Sequence, residues 1–492
     1  MAQHLITSAP PYVTGANYLE HLAGGMLPAD IYARYLRQCG HQVLFVCATD
    51  EHGAQAELAA ADAGLPVAQY CTRQHRLLEE LGQRFLLSWD HFGRSSSAEN
   101  HELTQHFADS LDRNGFLEER ETELFLRQSE FTDVLPDEVG TASGGRWLDA
   151  NLQDRCITRD LDWGIPVGWP GYEGKVFDTC FDSSIEYIGA TYEWSNRRFG
   201  RGSTAWRSWW FDANAVTYTQ FMPSDTLRSG KVSFASTIIG SWEPWKLPDY
   251  VKEFNRLTYK GRPFSTFDGT AFTDPALRLP AADYWRWYFM FDAPETADAT
   301  FTWERFADVV NEALVNGFGR FVDRAFSLAR QADGGRVPVG GAPGEAERQL
   351  SESLKTLVCE YMGSLCALQF RRAAERLRAI WALANNYLES NSPLELSRTD
   401  PVHAGTVLRT ALNLALVVAV ASEPVIPNAA ASVLAALDLP AGRQWKLPEL
   451  ASLDRLPTGH TFQAPDLALR AISSDDMATW QRRLNTEPVS LR

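Results

Sequence analysis

The chain has 492 residues and a formal charge of −16, and 45% of its residues are apolar and 12% aromatic. That is too much for one compact core, so two or three domains are expected, and the negative balance excludes a surface built for indiscriminate nucleic-acid binding, which needs Lys and Arg to neutralise phosphates. No run of about 18 apolar residues appears, and MAQHLITSAPPYV lacks the basic and long apolar regions of a signal peptide, so a cytoplasmic protein with no membrane partner is expected.

LITSAPPY reads as a short strand ending at a Pro-Pro break, and residues 23–37 have helical spacing, with apolar Met26, Leu27, Ile31, Tyr32 and Tyr35. VLFVCATD, from Val43, follows as a strand buried on both faces. Strand, helix and strand in this order predict a βαβ unit and a parallel sheet, whose ligands sit at the carboxyl ends of strands, here near residues 8–12 and 48–52. Helical patterns continue over 67–85 and 99–114, and a strand-rich block opens around Cys156. Arg197, Arg198, Arg201 and Arg207, interleaved with Phe199 and Trp206, read as a loop. They are the one candidate basic patch, and a solvated loop without a partner is the favoured reading, because four arginines make few phosphate contacts. QADGGRVPVGGAPGE, residues 331–345, is the clearest linker. Beyond it, Leu- and Ala-rich runs over 348–368, 371–388, 404–421 and 429–437 predict an α-helical bundle.

Seven cysteines (Cys39, Cys47, Cys71, Cys156, Cys180, Cys359 and Cys366) include no Cys-x-x-Cys pair, so reduced thiols are expected rather than disulfides or a zinc site. The ten histidines lie within residues 4–106 or at 403 and 460, which argues against a His-based metal centre in the central span. No metal ligands are assigned.

Several widely spaced segments then occur in a shared order. TSAPPYVTGANYLEHLAGGMLPADIYARYLRQCGHQVLFVCATDEHG, CITRDLDWGIPV, KVFDTCFDSSIEYIGATYEW, YTQFMPSDTLRSGKVSFASTIIG, LTYKGRPFSTFDG, ADYWRWYFMFDAPETADATFTWERF and ANNYLESNSPL resemble the methionyl-tRNA synthetases of class I. The resemblance implies an α/β Rossmann-like parallel-sheet catalytic domain followed by an α-helical, anticodon-binding-like bundle. It divides the chain into a first half of the catalytic domain (1–115), a shortened connective insertion without a zinc knuckle (116–155), a second half (156–250), a signature-loop and stem-contact region (251–330), a linker (331–347) and the bundle (348–480).

In that family a substrate carboxylate attacks the α-phosphate of ATP, and the aminoacyl adenylate is passed to the terminal ribose of tRNA. Catalysis is mostly positioning and stabilisation of phosphate charge. The family's first signature, His-x-Gly-His or a near variant, stands here as Tyr18-Leu19-Glu20-His21, and its Lys-Phe-Ser-Lys-Ser-Arg-Gly loop stands as Pro263-Phe264-Ser265-Thr266-Phe267-Asp268-Gly269. A Gly-Lys-Asp reads Pro223-Ser224-Asp225. The changes leave the nucleotide site about six charges more negative, and one like-charge contact at 4 Å costs about 4 kcal/mol even at an effective dielectric near 20. Binding of ATP and magnesium is therefore doubted. His21, Glu20, Asp182 and Glu186 remain as candidate acid–base groups, each of which could equally be a structural acid or base.

On the amino-acid side the resemblance carries over Asp50, for a substrate ammonium, with Tyr12 and Tyr187. A bland alternative makes Asp50 a strand-end acid capping the next helix. The family's Trp is Cys180, its His is Gly230 and the Leu of its Ala-Leu-Pro-Tyr is Pro10. Asp178, Ser183, Ser184 and Glu186 add polar groups along the same segment, which suggests an amino acid more polar than methionine. In the bundle Asn385 is retained, while the base-stacking Trp is Leu394, so tRNA is doubted as a partner. The expected function is accordingly a repurposed synthetase-like protein that binds an amino acid in a specialised biosynthetic pathway, with a separate cupin or other pathway enzyme as a possible partner. The alternatives are an inactive pseudo-synthetase that senses or scaffolds, and an unorthodox ATP-dependent methionine–tRNA ligase.

Overall fold

The computed structural model describes residues 2–14, 18–131, 152–211, 215–224, 232–259, 262–263, 281–439 and 445–486. Five parallel strands form the main sheet: β1 (Gln3–Ser8), β2 (Gln42–Thr49), β3 (His91–Arg94), β4 (Val216–Pro223) and β5 (Tyr250–Phe254), in the order β5-β4-β1-β2-β3. Alternate residues of these strands feed two cores. Ile6, Phe45, Cys47 and Phe221 face helix α1 (Leu27–Gln38), while Leu5, Leu44, Val46 and Tyr218 face α3 (Ala98–Arg113) and α4 (Thr179–Phe199). Helix α2 (Val67–Arg84) links β2 to β3.

The helical run after β1 starts earlier than its spacing predicts. One α-turn (Tyr18–His21) and a π-turn (Leu22–Met26) lead directly into α1, which has Pro28 in its first turn. The strand-rich reading near Cys156 holds only for two-residue strands, Arg155–Cys156, Thr158–Arg159 and Val176–Phe177. They are followed by the 21-residue α4, whose N-cap Asp178 accepts a hydrogen bond from the Cys180 N–H at 3.0 Å. The arginine stretch is correspondingly not a simple loop. Arg197 and Arg198 close α4, and Arg207 opens a one-turn helix because Trp209 and Trp210 beyond it are buried. Arg198 lies 5.7 Å from the Phe199 ring and Arg207 5.4 Å from that of Trp206, so both are partly occupied by their own aromatic neighbours.

Helix α5 (Ala282–Phe291) and α6 (Arg320–Asp333) precede the bundle of α7 (Glu345–Cys366), α8 (Phe370–Asn391), α9 (Pro401–Ser422) and α10 (Pro427–Ala436). Helix α9 is long and apolar enough, by length and composition, to cross a membrane, with a mean hydropathy of 1.7, but 94% of that stretch is buried and it forms the centre of the bundle. The Gly-rich segment between α6 and α7 packs rather than loops free. Val337 is fully buried and its N–H donates to the His460 carbonyl at 2.8 Å.

Here the backbone crosses α9 at a point only glycines permit. A Cβ on Gly405 would lie 1.9 Å from the Val339 carbonyl oxygen, and one on Gly340 would lie 2.4 Å from the Thr406 nitrogen. Both obstacles are backbone and cannot rotate away. Gly405→Ala is therefore expected to cost about 3 kcal/mol or more, as an overpacked core does, read as a lowered urea midpoint; an unchanged midpoint would mean that the segment lifts off α9 freely.

Candidate amino-acid site and family

Beyond the last regular pairs of β1 and β2, Tyr12 and Asp50 continue the parallel pairing as an isolated bridge. The Asp50 N–H donates to the Pro11 carbonyl and the Val13 N–H to the Asp50 carbonyl, both at 3.0 Å. These two residues are thus fixed side by side at the carboxyl edge of the sheet, where ligands of such sheets bind. The Tyr12 hydroxyl donates to the His52 carbonyl at 2.7 Å and accepts from the Ala56 N–H at 3.1 Å, which locks its ring. Asp50 accepts a hydrogen bond from the Thr179 hydroxyl at 2.8 Å, at the start of α4. It does not cap the following helix, whose N-cap is Gly53 without a side-chain bond.

A second layer lies beneath. Asp182, one turn into α4, is fully buried and contacts the His52 ring nitrogen Nδ1. His52 itself is edge-on to Trp163, with ring centroids 5.5 Å apart. Burial opposes charging of His52, but the adjacent Asp182 carboxylate prevails and its pKa moves up, while burial raises that of Asp182 against the pull of His52. The pair therefore holds its proton tightly. Burial first, and the Asp182 charge second, push Asp50 up to about 8. Sequence reasoning missed His52 and Thr179, and it missed Glu51, whose fully buried carboxylate is bound by Arg94 at 2.8 and 2.9 Å and by Ser96 at 2.5 Å. Glu51 is a brace between the ends of β2 and β3.

Glu186 is 1% exposed, and neither of its carboxyl oxygens has a hydrogen-bond partner among the described residues. Burial, then Glu193 and Glu51, raise it far above the carboxylate range, so it is a neutral acid here. With Ser8, Pro10, Cys47 and Tyr187 it lines a crevice too tightly packed to admit a water molecule. Tyr187 is buried, its ring edge-on to Phe234, and burial raises its hydroxyl pKa. Burial and the Asp178 carboxylate push the Cys180 thiol up to about 12, which makes it a poor nucleophile. Ser183 is half-buried on the same helix. Glu20 and His21 are 5% and 9% exposed in the turn before α1, and neither is free of interactions. The backbone of Pro263 pairs with Thr258, whereas Gly230, Ser265, Thr266, Asp268 and the side chain of Tyr18 lie outside the described residues.

A parallel Rossmann-like sheet with this acidic amino-acid site at its carboxyl edge, followed by a helical bundle, defines a class I aminoacyl-tRNA synthetase architecture. A family model described as "tRNA synthetases class I (M)" matches residues 4–142 and 140–326, and one described as "Anticodon binding domain of methionyl tRNA ligase" matches residues 337–488. The methionine–tRNA ligase of Cereibacter sphaeroides is 42% identical over 568 residues, covering 98% of this chain and 99% of that protein. That of Streptomyces avermitilis is 40% identical, covering 99% and 100%. In fold, the chain is similar to Mycobacterium tuberculosis methionyl-tRNA synthetase in complex with methionyl-adenylate, with a TM-score of 0.81 and 21% identity over 95% of this chain and 99% of the other. The chain belongs to the methionyl-tRNA synthetase family of class I.

Two expectations fall. A protein repurposed away from tRNA charging, with a substrate more polar than methionine and a separate pathway partner, is overturned by full-length relatives at 42% identity that are methionine–tRNA ligases. Doubt about tRNA as a partner is overturned by the match of residues 337–488 to an anticodon-binding domain and by the same relatives. The charge tally misled because it set every altered residue at contact distance from phosphate. Glu20, for one, is buried and has an interaction of its own, so its charge cannot be counted as a bare contact at 4 Å.

Proposed function

We propose that this protein is an ATP-dependent methionine–tRNA ligase working in the cytoplasm. Full-length correspondence with curated methionine–tRNA ligases, 42% identical across 99% of the Cereibacter protein, carries the conclusion. The amino-acid half of the site supports it. Asp50 offers a carboxylate to the substrate ammonium, Thr179 and Tyr12 hold the surroundings of that carboxylate still, and Pro10 and Tyr187 line one crevice with Ser8 and Cys47, while Cys180, Ser183 and Gly230 are the pocket positions that the resemblance carries over. With the amine so held, the methionine carboxylate attacks the α-phosphate of ATP and pyrophosphate leaves. A ribose hydroxyl of tRNA then takes the acyl group from the adenylate, and AMP departs.

The nucleotide half is where this chain diverges from the family pattern. Tyr18, Glu20, Pro263, Thr266 and Asp268 stand where the family has His, Gly, Lys, Lys and Arg, Ser265 matches the family's Ser, and His21 is the imidazole left in the first signature. Charged hydrogen bonds to phosphate contribute about 1.5–3 kcal/mol each, so weaker ATP binding is the consequence. The test is methionine-dependent exchange of labelled pyrophosphate into ATP. Exchange is expected with methionine above all other standard amino acids, with an ATP KM at or above ~1 mM, the high end of the usual range. No exchange at about 10 mM magnesium ATP, well past that range, would overturn the proposal.

Leu394 is 59% exposed on the short helix Pro393–Thr399 next to α8, and the Asn385 side-chain amide is committed to the Gly317 carbonyl at 2.8 Å. An exposed Leu at a base-stacking position gives up about 1–3 kcal/mol of stacking. Leu394→Trp is therefore expected to tighten tRNA binding roughly tenfold in a filter-binding assay. Unchanged affinity would mean that this helix does not meet the bases.

A further inference from the structure

The seam between the sheet domain and the bundle carries two surface thiols on opposite sides. Tyr35 of α1 is 3% exposed, and its hydroxyl lies 3.0 Å from the Cys366 sulfur at the end of α7. Cys39 caps α1 one turn after Tyr35, its N–H donating to the Tyr35 carbonyl at 3.0 Å, and its thiol is close enough to the Tyr35 hydroxyl and to Cys366 to interact electrostatically with both. Both cysteines are exposed to solvent. Around them Gln38 ties α1 to the bundle by donating to the Val420 carbonyl at 2.7 Å, and within the bundle Tyr361 ties α7 to the same end of α9 by donating to the Ala421 carbonyl at 2.9 Å. The backbone on either side of the thiols is therefore held in register.

We propose that Cys39 and Cys366 form a reversible redox site, closing to a disulfide that bolts α1 of the sheet domain to α7 of the bundle. Two sulfurs that flank one hydroxyl lie close along the seam, and the bond requires rotation about their χ1 angles to turn them toward each other. In a reducing compartment the pair stays open, and a disulfide oxidant such as oxidised glutathione closes it. One protein thiolate attacks a sulfur of the oxidant, forming a mixed disulfide and releasing one glutathione thiolate. The second protein thiolate attacks the protein sulfur of that mixed disulfide, forming the Cys39–Cys366 bond and releasing the second glutathione. Two electrons pass from the protein to the oxidant, and the two thiol protons are taken up by solvent and the released thiolates. Because the ring so closed spans most of the chain, the bond removes much freedom from the unfolded state.

The experiment uses the full chain, oxidised glutathione at a mildly alkaline pH, alkylation of the remaining thiols, and non-reducing peptide mass spectrometry, none of which depends on catalytic activity. The expected result is a linked peptide pair containing Cys39 and Cys366, loss of two of the seven thiols, and a Tm raised by several degrees that returns on adding dithiothreitol. Cys39→Ser and Cys366→Ser should each abolish the link and the Tm rise while leaving the reduced Tm unchanged. Separate glutathione adducts on the two cysteines, full alkylation of both, or a bond from Cys39 to the neighbouring surface thiol Cys359 would each overturn the proposal.

Discussion

Asp50→Asn is expected to abolish methionine-dependent pyrophosphate exchange, by about 1,000-fold or more, as befits loss of a charge-assisted contact to the substrate amine, while making the free protein more stable. The two effects share a cause. Burial, reinforced by Asp182, raises the folded-state pKa of Asp50 to about 8, against an ordinary carboxylate value near 4 in the unfolded chain. A raised carboxyl binds its proton more tightly when folded. Its contribution to stability therefore falls as pH rises from about 4 to about 8, and the full penalty remains above that window. Asn keeps an acceptor for the Thr179 hydroxyl but never ionises. Wild type and variant should melt together near pH 4, and the variant should lead by about 1–3 kcal/mol at pH 8, the cost of a poorly compensated buried polar group. The substrate supplies the missing compensation. An ammonium beside Asp50 lowers its pKa, so methionine binding at pH 7 should release about one proton, visible as different calorimetric heats in buffers of different ionisation enthalpy. Retained exchange in the variant, or binding without proton release, would remove Asp50 from the role given to it.

How far the sequence reached toward this site follows from the range over which each signal acts. The spacing of LITSAPPY, residues 23–37 and VLFVCATD was enough to predict the βαβ unit, and with it the strand ends where Tyr12 and Asp50 stand. Periodicity likewise revealed the bundle, because α7 and α8 each present an apolar stripe, while α9, apolar all round, is the helix they enclose. What the spacing did not give is the partnership of Asp50 with Thr179 or of His52 with Asp182. Those pairs are about 130 residues apart and are joined only when α4 is laid across the sheet edge. The arginine stretch went astray for a related reason. Its helical turns are held by Trp209 and Trp210 burying against the second core, a tertiary effect that overrides the local Gly and Ser signals. The Gly-rich run before α7 reads as a linker, and what its composition does not show is that Gly340 lets backbone touch backbone at α9. Function failed where charge was counted without distance, since composition fixes how many charges a site has and not where they point.

The other large effect is expected at Arg286, which joins the parts of the molecule into one body. Its guanidinium is fully buried on α5 and donates to the Asp30 carboxylate at 2.6 Å, to the Phe85 carbonyl at 3.0 Å, and to the Val425 and Pro424 carbonyls at 2.9 and 2.8 Å. Asp30 belongs to α1 and Phe85 follows α2, whereas Pro424 and Val425 lie between α9 and α10 of the bundle. Asp30 also receives Arg34 at 2.9 Å and the N–H and hydroxyl of Ser88, each at 2.6 Å, so burial is outweighed and its carboxyl is held below the ordinary range. Such a depressed carboxyl stabilises the fold at neutral pH, and the contribution is lost only as pH falls through its folded value. Arg286→Met keeps the length of the side chain but leaves three buried carbonyls without a donor and Asp30 with one cation instead of two. A loss of about 3–5 kcal/mol is expected, the range for breaking a buried pair by removing one partner, measured as a lower urea midpoint at pH 7. Asp30→Leu combined with Arg286→Met should cost less than the sum of the single changes, because the second removes a partner already missing. If the two costs simply add, or if Arg286→Met lowers stability by less than about 1 kcal/mol, as surface pairs do, this buried charge is not what holds the bundle to the sheet.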